Sequence, residues 1–66
     1  MENELRGEIE ELCAKHNIAS VSLVPGCLSY SRELQSIWQK LRAYDRGELT
    51  GNYTLNAETR VMTLYR

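Results

Sequence analysis

The hydrophobic positions near the start of the chain are spaced as on one side of a helix. In the segment from Glu2 to His16 they are separated by four, three and one residues, and they are Leu5, Ile9, Leu12 and Cys13. Such a stripe is typical of an amphipathic helix that packs one face on a core. The glutamates early in this segment and Lys15 near its end also suit the two ends of the helix dipole. We therefore predict a first helix over residues 2–16.

A second and clearer helical pattern occupies the middle of the chain. Its apolar positions follow the three/four spacing closely, and they are Leu34, Ile37, Trp38, Leu41 and Tyr44. Ser29 or Ser31 can cap the start of this helix, because a serine hydroxyl accepts a hydrogen bond from an N–H of the first turn. Gly47 lies just beyond the last apolar position and suits a C-terminal cap. The pattern predicts a helix that ends at about Arg46.

Between these two helices the pattern changes to that of a strand. In residues 18–24, Val21 and Leu23 alternate with serines, which is the period of a strand with one buried face. Pro25-Gly26 then ends the pattern, because neither residue continues a strand readily.

The C-terminal segment is typical of a hairpin. Residues 53–55 and 60–65 form two strand-like stretches around a short turn. A loop of three residues would place two pairs opposite each other on one face: Leu55 with Val61, and Tyr53 with Thr63. Met62 and Leu64 make the other face apolar as well. We therefore expect either a helix or another molecule to cover the second face.

The order helix–strand–helix–strand–strand predicts an α+β fold, with one small domain over residues 1–66. Two helices pack on a three-stranded sheet that includes the C-terminal β-hairpin. The expected core consists of Leu5, Ile9, Leu12, Val21, Leu23, Leu34, Ile37, Trp38, Leu41, Leu55, Val61 and Leu64.

The composition narrows the class of protein. The chain has 66 residues and a formal net charge of −1, and a domain of this size buries only about 60% of the surface of its unfolded chain. It contains no apolar run of about 18 residues, so we expect no membrane contact. It also lacks a basic, apolar leader, and two cysteines are too few for a disulfide framework. We therefore predict a cytoplasmic protein.

The charge is distributed unevenly along the chain. Residues 1–17 contain five glutamates and two basic residues, whereas residues 18–66 contain six basic and four acidic residues. The first helix is therefore acidic, and the remainder is mildly basic. Such opposite surfaces can pair between copies of the chain or attract a charged partner.

The polar face of the second helix carries residues that are suited to recognition. Five of them are spaced by three, four, three and four residues and form one stripe: Arg32, Gln35, Gln39, Arg42 and Arg46. Arginine binds carboxylates and phosphates through paired hydrogen bonds, and glutamine can pair with adenine. The stripe is therefore a protein-binding surface, a nucleic-acid-binding surface or simply the solvated face of an amphipathic helix.

A helix followed by a hairpin resembles the recognition helix and wing of winged helix-turn-helix domains, and residues 11–20 resemble the start of a helix-turn-helix. The resemblance implies a nucleic-acid-binding regulator that uses the Arg/Gln face of the second helix. It covers at most a third of the chain, and Pro25-Gly26 interrupts the place of the recognition helix. Duplex binding also usually requires a clearly basic domain. Nucleic acid is therefore the alternative to a protein partner.

Residues for catalysis or metal binding are sparse. Cys13 and His16 are three residues apart on the first helix, and Cys27 follows a turn, so these three are weak candidates for zinc ligands. A closed zinc site needs a fourth ligand, and we expect neither a metal nor another cofactor. The single histidine and the absence of a Gly-rich phosphate loop also argue against an enzyme.

Tyr53 and Tyr65 lie at the edges of the predicted strands, where tyrosine can anchor an interface. Together with the stripe, they predict a small non-catalytic protein-binding module of bacterial or phage type, which acts as an inhibitor, adaptor or regulator. We expect a homodimer, or a complex with a protein partner, that covers the hairpin.

Overall fold

The computed structural model describes residues 2–24, 29–50 and 52–65 of the chain. Its elements follow the predicted order: α1 (Glu2–Lys15), β1 (Ser20–Leu23), α2 (Tyr30–Asp45), β2 (Tyr53–Leu55) and β3 (Val61–Leu64). The fold is α+β, with a C-terminal hairpin formed by β2 and β3. The predicted strand end at Pro25-Gly26 lies outside the described residues. Among the described residues, neither helix is long and apolar enough to cross a membrane.

The clearest sequence pattern forms α2, and both of its ends are capped. Ser29, rather than Ser31, caps the start, because its hydroxyl accepts a hydrogen bond from the N–H of Arg32 at 3.5 Å. At the other end Gly47 has a φ of 73° and donates its N–H to the carbonyl of Tyr44 at 3.0 Å. The next N–H bonds to the carbonyl of Ala43 at 2.8 Å. These two bonds form a Schellman motif, so the predicted glycine cap is confirmed.

Helix α1 ends in the same motif, but with an asparagine in the left-handed position. Asn17 has a φ of 57° and donates its N–H to the carbonyl of Ala14 at 3.3 Å. The N–H of Ile18 bonds to the carbonyl of Cys13 at 2.7 Å. The turn directs Ile18 into the core, where it is only 5% exposed. The helix therefore ends one residue before the predicted His16, and Ile18 belongs to the core although the prediction omitted it.

Strand β3 lies between β1 and β2 in the sheet. Strand β1 runs parallel to β3, and β2 runs antiparallel to it. Residues paired across strands point to the same face, so Val21 with Met62 and Leu23 with Leu64 all face the helices. The buried core between sheet and helices consists of Leu12, Ile18, Ile37, Leu41, Met62 and Leu64.

The predicted register of the hairpin is wrong by one residue. The turn between the strands has four residues rather than three, because the N–H of Arg60 bonds to the carbonyl of Asn56 at 2.7 Å. Arg60 closes this turn in the left-handed conformation, with a φ of 58°. The Asn56 side chain also accepts hydrogen bonds from two N–H groups of the turn. The observed pairs are Tyr53 with Leu64, Thr54 with Thr63, and Leu55 with Met62.

The register change also corrects the predicted core. A shift of one residue moves each side chain to the other face of a strand. Met62, rather than Val61, therefore pairs with Leu55 on the face toward the helices and is fully buried. Leu55 lies on the same face but is 37% exposed, because β2 is an edge strand. Other predicted core residues are half-buried: Leu5, Ile9, Val21, Leu23, Leu34, Trp38 and Val61.

The face of the sheet that points away from the helices is mostly polar. Its side chains are Ser20, Ser22, Thr54, Val61 and Thr63. The hairpin thus has one strongly apolar face, and the helices cover it. The sequence-based reason for expecting another molecule on the hairpin no longer holds.

Candidate functional site

The stripe predicted on the second helix lies along one exposed face of α2. All five of its side chains are exposed: Arg32, Gln35, Gln39, Arg42 and Arg46. We call them the Arg/Gln stripe. The stripe lies opposite Ile37 and Leu41, which α2 buries against the sheet. Five of the seven predicted partner-binding residues therefore share a surface that points away from the sheet.

Most lysines and arginines of the described residues have a partner within the chain, but two arginines of the stripe do not. Arg66 lies outside the described residues, which leaves seven of the chain's eight lysines and arginines. Five of these have partners: Arg6 with the Tyr30 ring, Lys15 with Asp45, Lys40 with the Tyr65 carbonyl, Arg46 with Glu48, and Arg60 with Asn17. Within the described residues, the side chains of Arg32 and Arg42 make no hydrogen bond or ion pair. Both unpaired cations therefore belong to the Arg/Gln stripe.

An acidic row on α1 lies beside the Arg/Gln stripe. Glu4, Glu8 and Glu11 are exposed at three/four spacing, and we call them the acidic ridge. None of the three makes an ion pair within the described part of the chain. The outer surface of the helix pair therefore carries unpaired charges of both signs.

A groove runs between the acidic ridge and the Arg/Gln stripe. One section of about 490 Å³ is lined by Glu4, Leu5, Glu8, Gln35 and Trp38. A smaller section of about 190 Å³ is lined by Glu8, Glu11, Leu12, Lys15, Arg42 and Asp45. The indole N–H of Trp38 is buried and finds no acceptor in the residues that the structure describes. The groove thus combines an apolar floor with an acidic wall, which faces Gln35 in the larger section and Arg42 in the smaller one.

The two predicted tyrosines lie away from the Arg/Gln stripe. Tyr53 is half-buried and meets the ring of Tyr44 edge-on, with the ring centres 5.4 Å apart. Tyr44 packs against the core, so this contact is on the sheet side of α2. Tyr65 is 40% exposed, and its carbonyl accepts a hydrogen bond from Lys40. The structure therefore does not bring the tyrosines and the stripe together.

The candidate zinc ligands are not gathered around one point in the described residues. The Nε2 atom of His16 lies 2.9 Å from a carboxylate oxygen of Asp45. Cys13 is half-buried, and burial raises the pKa of its thiol, with a smaller contribution from Glu10. Cys27 lies outside the described residues. No group of three or more possible metal ligands occurs in residues 2–24, 29–50 and 52–65.

A charged junction, not predicted from the sequence, lies at the C-terminal ends of the two helices. Asp45 accepts hydrogen bonds from Lys15 at 2.7 Å and from His16 at 2.9 Å. These bonds, with that of Lys15 the stronger, hold the pKa of the Asp45 carboxyl below its usual value. A signal was present, because an acidic residue in the last turn of a helix opposes the helix dipole and so needs a nearby cation. The ring of Tyr44 lies edge-on to His16 at 4.9 Å and completes the junction.

A second groove, beside β1, also escaped the sequence analysis. It has a volume of about 430 Å³ and is mainly apolar, with Ile9, Cys13, Val21 and Leu34 among its lining residues. Glu10 is the charged residue on its rim. This groove is similar in size to the larger section beside the Arg/Gln stripe, but only the latter lies beside unpaired charges of both signs among the described residues.

Comparisons with protein-family models, with curated proteins and with solved structures found no match to this chain.

Proposed function

We propose that this chain is a small non-catalytic protein-binding module that contacts its partner through the Arg/Gln stripe of α2. It acts as an inhibitor, adaptor or regulator by occupying a surface of the partner. The proposal includes the predicted cytoplasmic location and bacterial or phage origin, and it assigns the chain no metal, cofactor or catalytic residue.

The observation that carries this proposal is the contrast between Arg32 and Arg42 and the other described cations. Five of the seven described lysines and arginines have partners within the chain, and the two without one are both on the stripe. Gln35 and Gln39 lie between these two arginines along the stripe and expose amide groups that can donate or accept hydrogen bonds. An arginine fork binds a carboxylate through two parallel bonds, so the complementary surface is acidic.

Nucleic acid is the alternative partner, because arginine and glutamine on one helical face can also contact phosphates and base edges. The acidic ridge argues against it. Glu8 and Glu11 line the same groove as Arg42, and their carboxylates repel a phosphate backbone that approaches this side of the stripe. A protein partner can place individual carboxylates against Arg32 and Arg42 without bringing further negative charge close to the acidic ridge.

Capture experiments with two matched charge reversals test the proposal. Arg42→Glu reverses a cation of the stripe, whereas Arg6→Glu makes the same chemical change on α1, where Arg6 lies over the Tyr30 ring 5.6 Å away. Tagged wild-type chain and both variants are incubated with extract of the source cell, and retained proteins are identified by mass spectrometry. We expect a protein that is retained by the wild type and by Arg6→Glu, and at least about tenfold less by Arg42→Glu.

The same variants separate the two kinds of partner. Fluorescence anisotropy with duplex DNA at low salt should show no binding by the wild type. Binding that Arg42→Glu abolishes would favour the nucleic-acid alternative instead. Retention of no protein, or equal retention by Arg42→Glu and wild type, would contradict a role for the stripe.

A further inference from the structure

We propose that the acidic partner of the Arg/Gln stripe is the acidic ridge of a second copy of this chain. In the resulting two-fold dimer, the stripe of each copy contacts the ridge of the other. This inference rests on the proposed function, because it takes the stripe as the contact surface and names what lies on it.

The helices are arranged so that ridge and stripe can meet twice in one dimer. At one end of the pair Arg6 lies over Tyr30, and at the other end Lys15 bonds to Asp45. The two helices therefore run side by side in the same direction, with the ridge level with the stripe. A two-fold axis parallel to the helices, placed above the groove, lays each ridge on the partner's stripe. The contact is isologous, so both halves form together and the assembly closes at two copies.

The charges on the two surfaces are complementary and unsatisfied within the chain. The ridge presents three carboxylates, and the stripe presents two arginines that have no partner in the described residues. In the dimer each arginine has a carboxylate of the other copy in reach. Charge pairs that become buried on association are screened less by salt than exposed pairs are. Their complementarity therefore favours contact between the ridge and the stripe over contact between other surfaces.

The groove between these charges provides the apolar centre of the contact. Leu5 and Trp38 are half-buried in the section of about 490 Å³ that ridge and stripe enclose. A tryptophan surrounded by charged groups is typical of the residues that contribute most to an interface. The polar outer face of the sheet offers no comparable centre.

The helix pair is large enough for a stable dimer. An α-helix rises 1.5 Å per residue, so α2 with 16 residues is about 24 Å long. Packed helices are about 8–10 Å apart and each is about 10 Å wide, so the joint outer face is about 20 Å wide and has a flat area of about 480 Å². The relief of the long side chains brings its accessible area toward the ~800 Å² per partner of a standard interface. That area is about a sixth of the 4664 Å² that the chain exposes.

A charge-swap experiment tests this arrangement. Arg32→Glu/Arg42→Glu makes both surfaces acidic, and Glu8→Lys/Glu11→Lys makes both surfaces basic. Sedimentation at low salt should show a dimer for the wild type and a monomer for each variant alone, with the dissociation constant raised at least about a hundredfold by like charges. An equimolar mixture of the two variants should form a heterodimer, because both of its contacts are again complementary. Native mass spectrometry identifies that species by its mass.

Matched controls keep this test decisive. Glu10→Lys/Glu58→Lys makes the same chemical change at exposed glutamates outside the ridge, and it should dimerise like the wild type. Circular dichroism melts verify that each variant is folded before its oligomeric state is compared with that of the wild type.

A wild type that is monomeric from micromolar to millimolar concentration would overturn the inference, and so would a mixture that stays monomeric. A dimer that is insensitive to the reversals uses another surface, such as the groove beside β1, and also overturns it. The proposed function survives these outcomes if Arg42→Glu still loses a captured protein of a different sequence, so the two failures are distinguishable.

Discussion

The junction at the C-terminal ends of the helices and the outer face of the same helices both carry acidic and basic side chains. The two regions differ in whether these charges are paired within the chain. At the junction Asp45 binds both Lys15 and His16, so its charge is satisfied within the chain. On the outer face Glu8 and Arg42 line one groove, yet neither makes an ion pair within the described residues. The difference indicates that charges at the junction hold the helices together, whereas charges on the outer face are available to a partner.

The positions of these residues relative to the core explain the contrast. The Asp45 side chain is only 17% exposed, and Lys15 and His16 at the end of α1 lie against it. A pair that is partly shielded from water interacts more strongly than an exposed pair. Exposed ion pairs are worth about 0–1 kcal/mol, so the fold gains little from pairing ridge with stripe inside one copy. The junction and the sheet-facing core therefore determine stability, whereas we propose that the outer face determines association.

The largest expected effect lies on the sheet side. Met62→Ala should lower the free energy of unfolding by about 2–5 kcal/mol, because Met62 is fully buried beneath the helices and its loss leaves a cavity. Leu55→Ala should cost less than about 1 kcal/mol, because Leu55 is 37% exposed at the sheet edge. Urea unfolding monitored by circular dichroism measures both.

One result would contradict this assignment of faces. If Leu55→Ala were the more destabilising of the two, the hairpin would have the register that the sequence predicted. Should Met62→Ala be too unstable to fold, Met62→Leu serves in its place, since a swap of similar volume should cost less than about 1.5 kcal/mol.

The register shows where inference from sequence ends. Alternation located both strands of the hairpin, but the register depended on the length of the turn. Asn56 accepts two N–H groups of the turn with its side chain, and Arg60 tolerates the left-handed conformation there, so a four-residue loop forms. Nothing in the period of the strands distinguishes three loop residues from four. Met62 therefore took the place in the core that was expected for Val61.

The candidate site, like the hairpin, was predictable from the sequence only in part. The three/four spacing placed Arg32 and Arg42 on one exposed face of α2, which the structure confirms. The partners of the other cations were not predictable, because they depend on tertiary contacts: Lys15 and Asp45 are 30 positions apart, and Arg60 and Asn17 are 43 positions apart. Periodicity locates a face, but only the packed structure shows which of its charges remain unpaired.

Intermediate effects of opposite sign are expected at two glycines of the helices. Gly47→Ala should destabilise the protein by about 1–2 kcal/mol, because Gly47 ends α2 at a φ of 73°. Gly7→Ala should stabilise it by about 1 kcal/mol, because Gly7 lies inside α1. An added Cβ meets nothing within 4 Å at either position, so the two effects are purely conformational. Thermal melts of both variants measure them, and equal signs would contradict the cap at the junction.

The smallest effect concerns the junction charge and is best seen as a dependence on pH. The hydrogen bonds from Lys15 and His16 lower the pKa of Asp45 in the folded state. Asp45 therefore contributes stability above its unfolded pKa of about 3.9, and this contribution is lost as the pH falls through the lower folded value. Between about pH 6 and pH 3, Asp45→Asn should lose less stability than the wild type does. Glu58→Gln makes the same change in the hairpin turn, at a glutamate that forms no ion pair within the described residues and lies outside the proposed interface, and it should follow the wild-type profile. Urea titrations at the two pH values measure the difference. If Glu58→Gln flattened the profile as much as Asp45→Asn, the pH dependence would not come from the junction and the contrast between junction and outer face would fail.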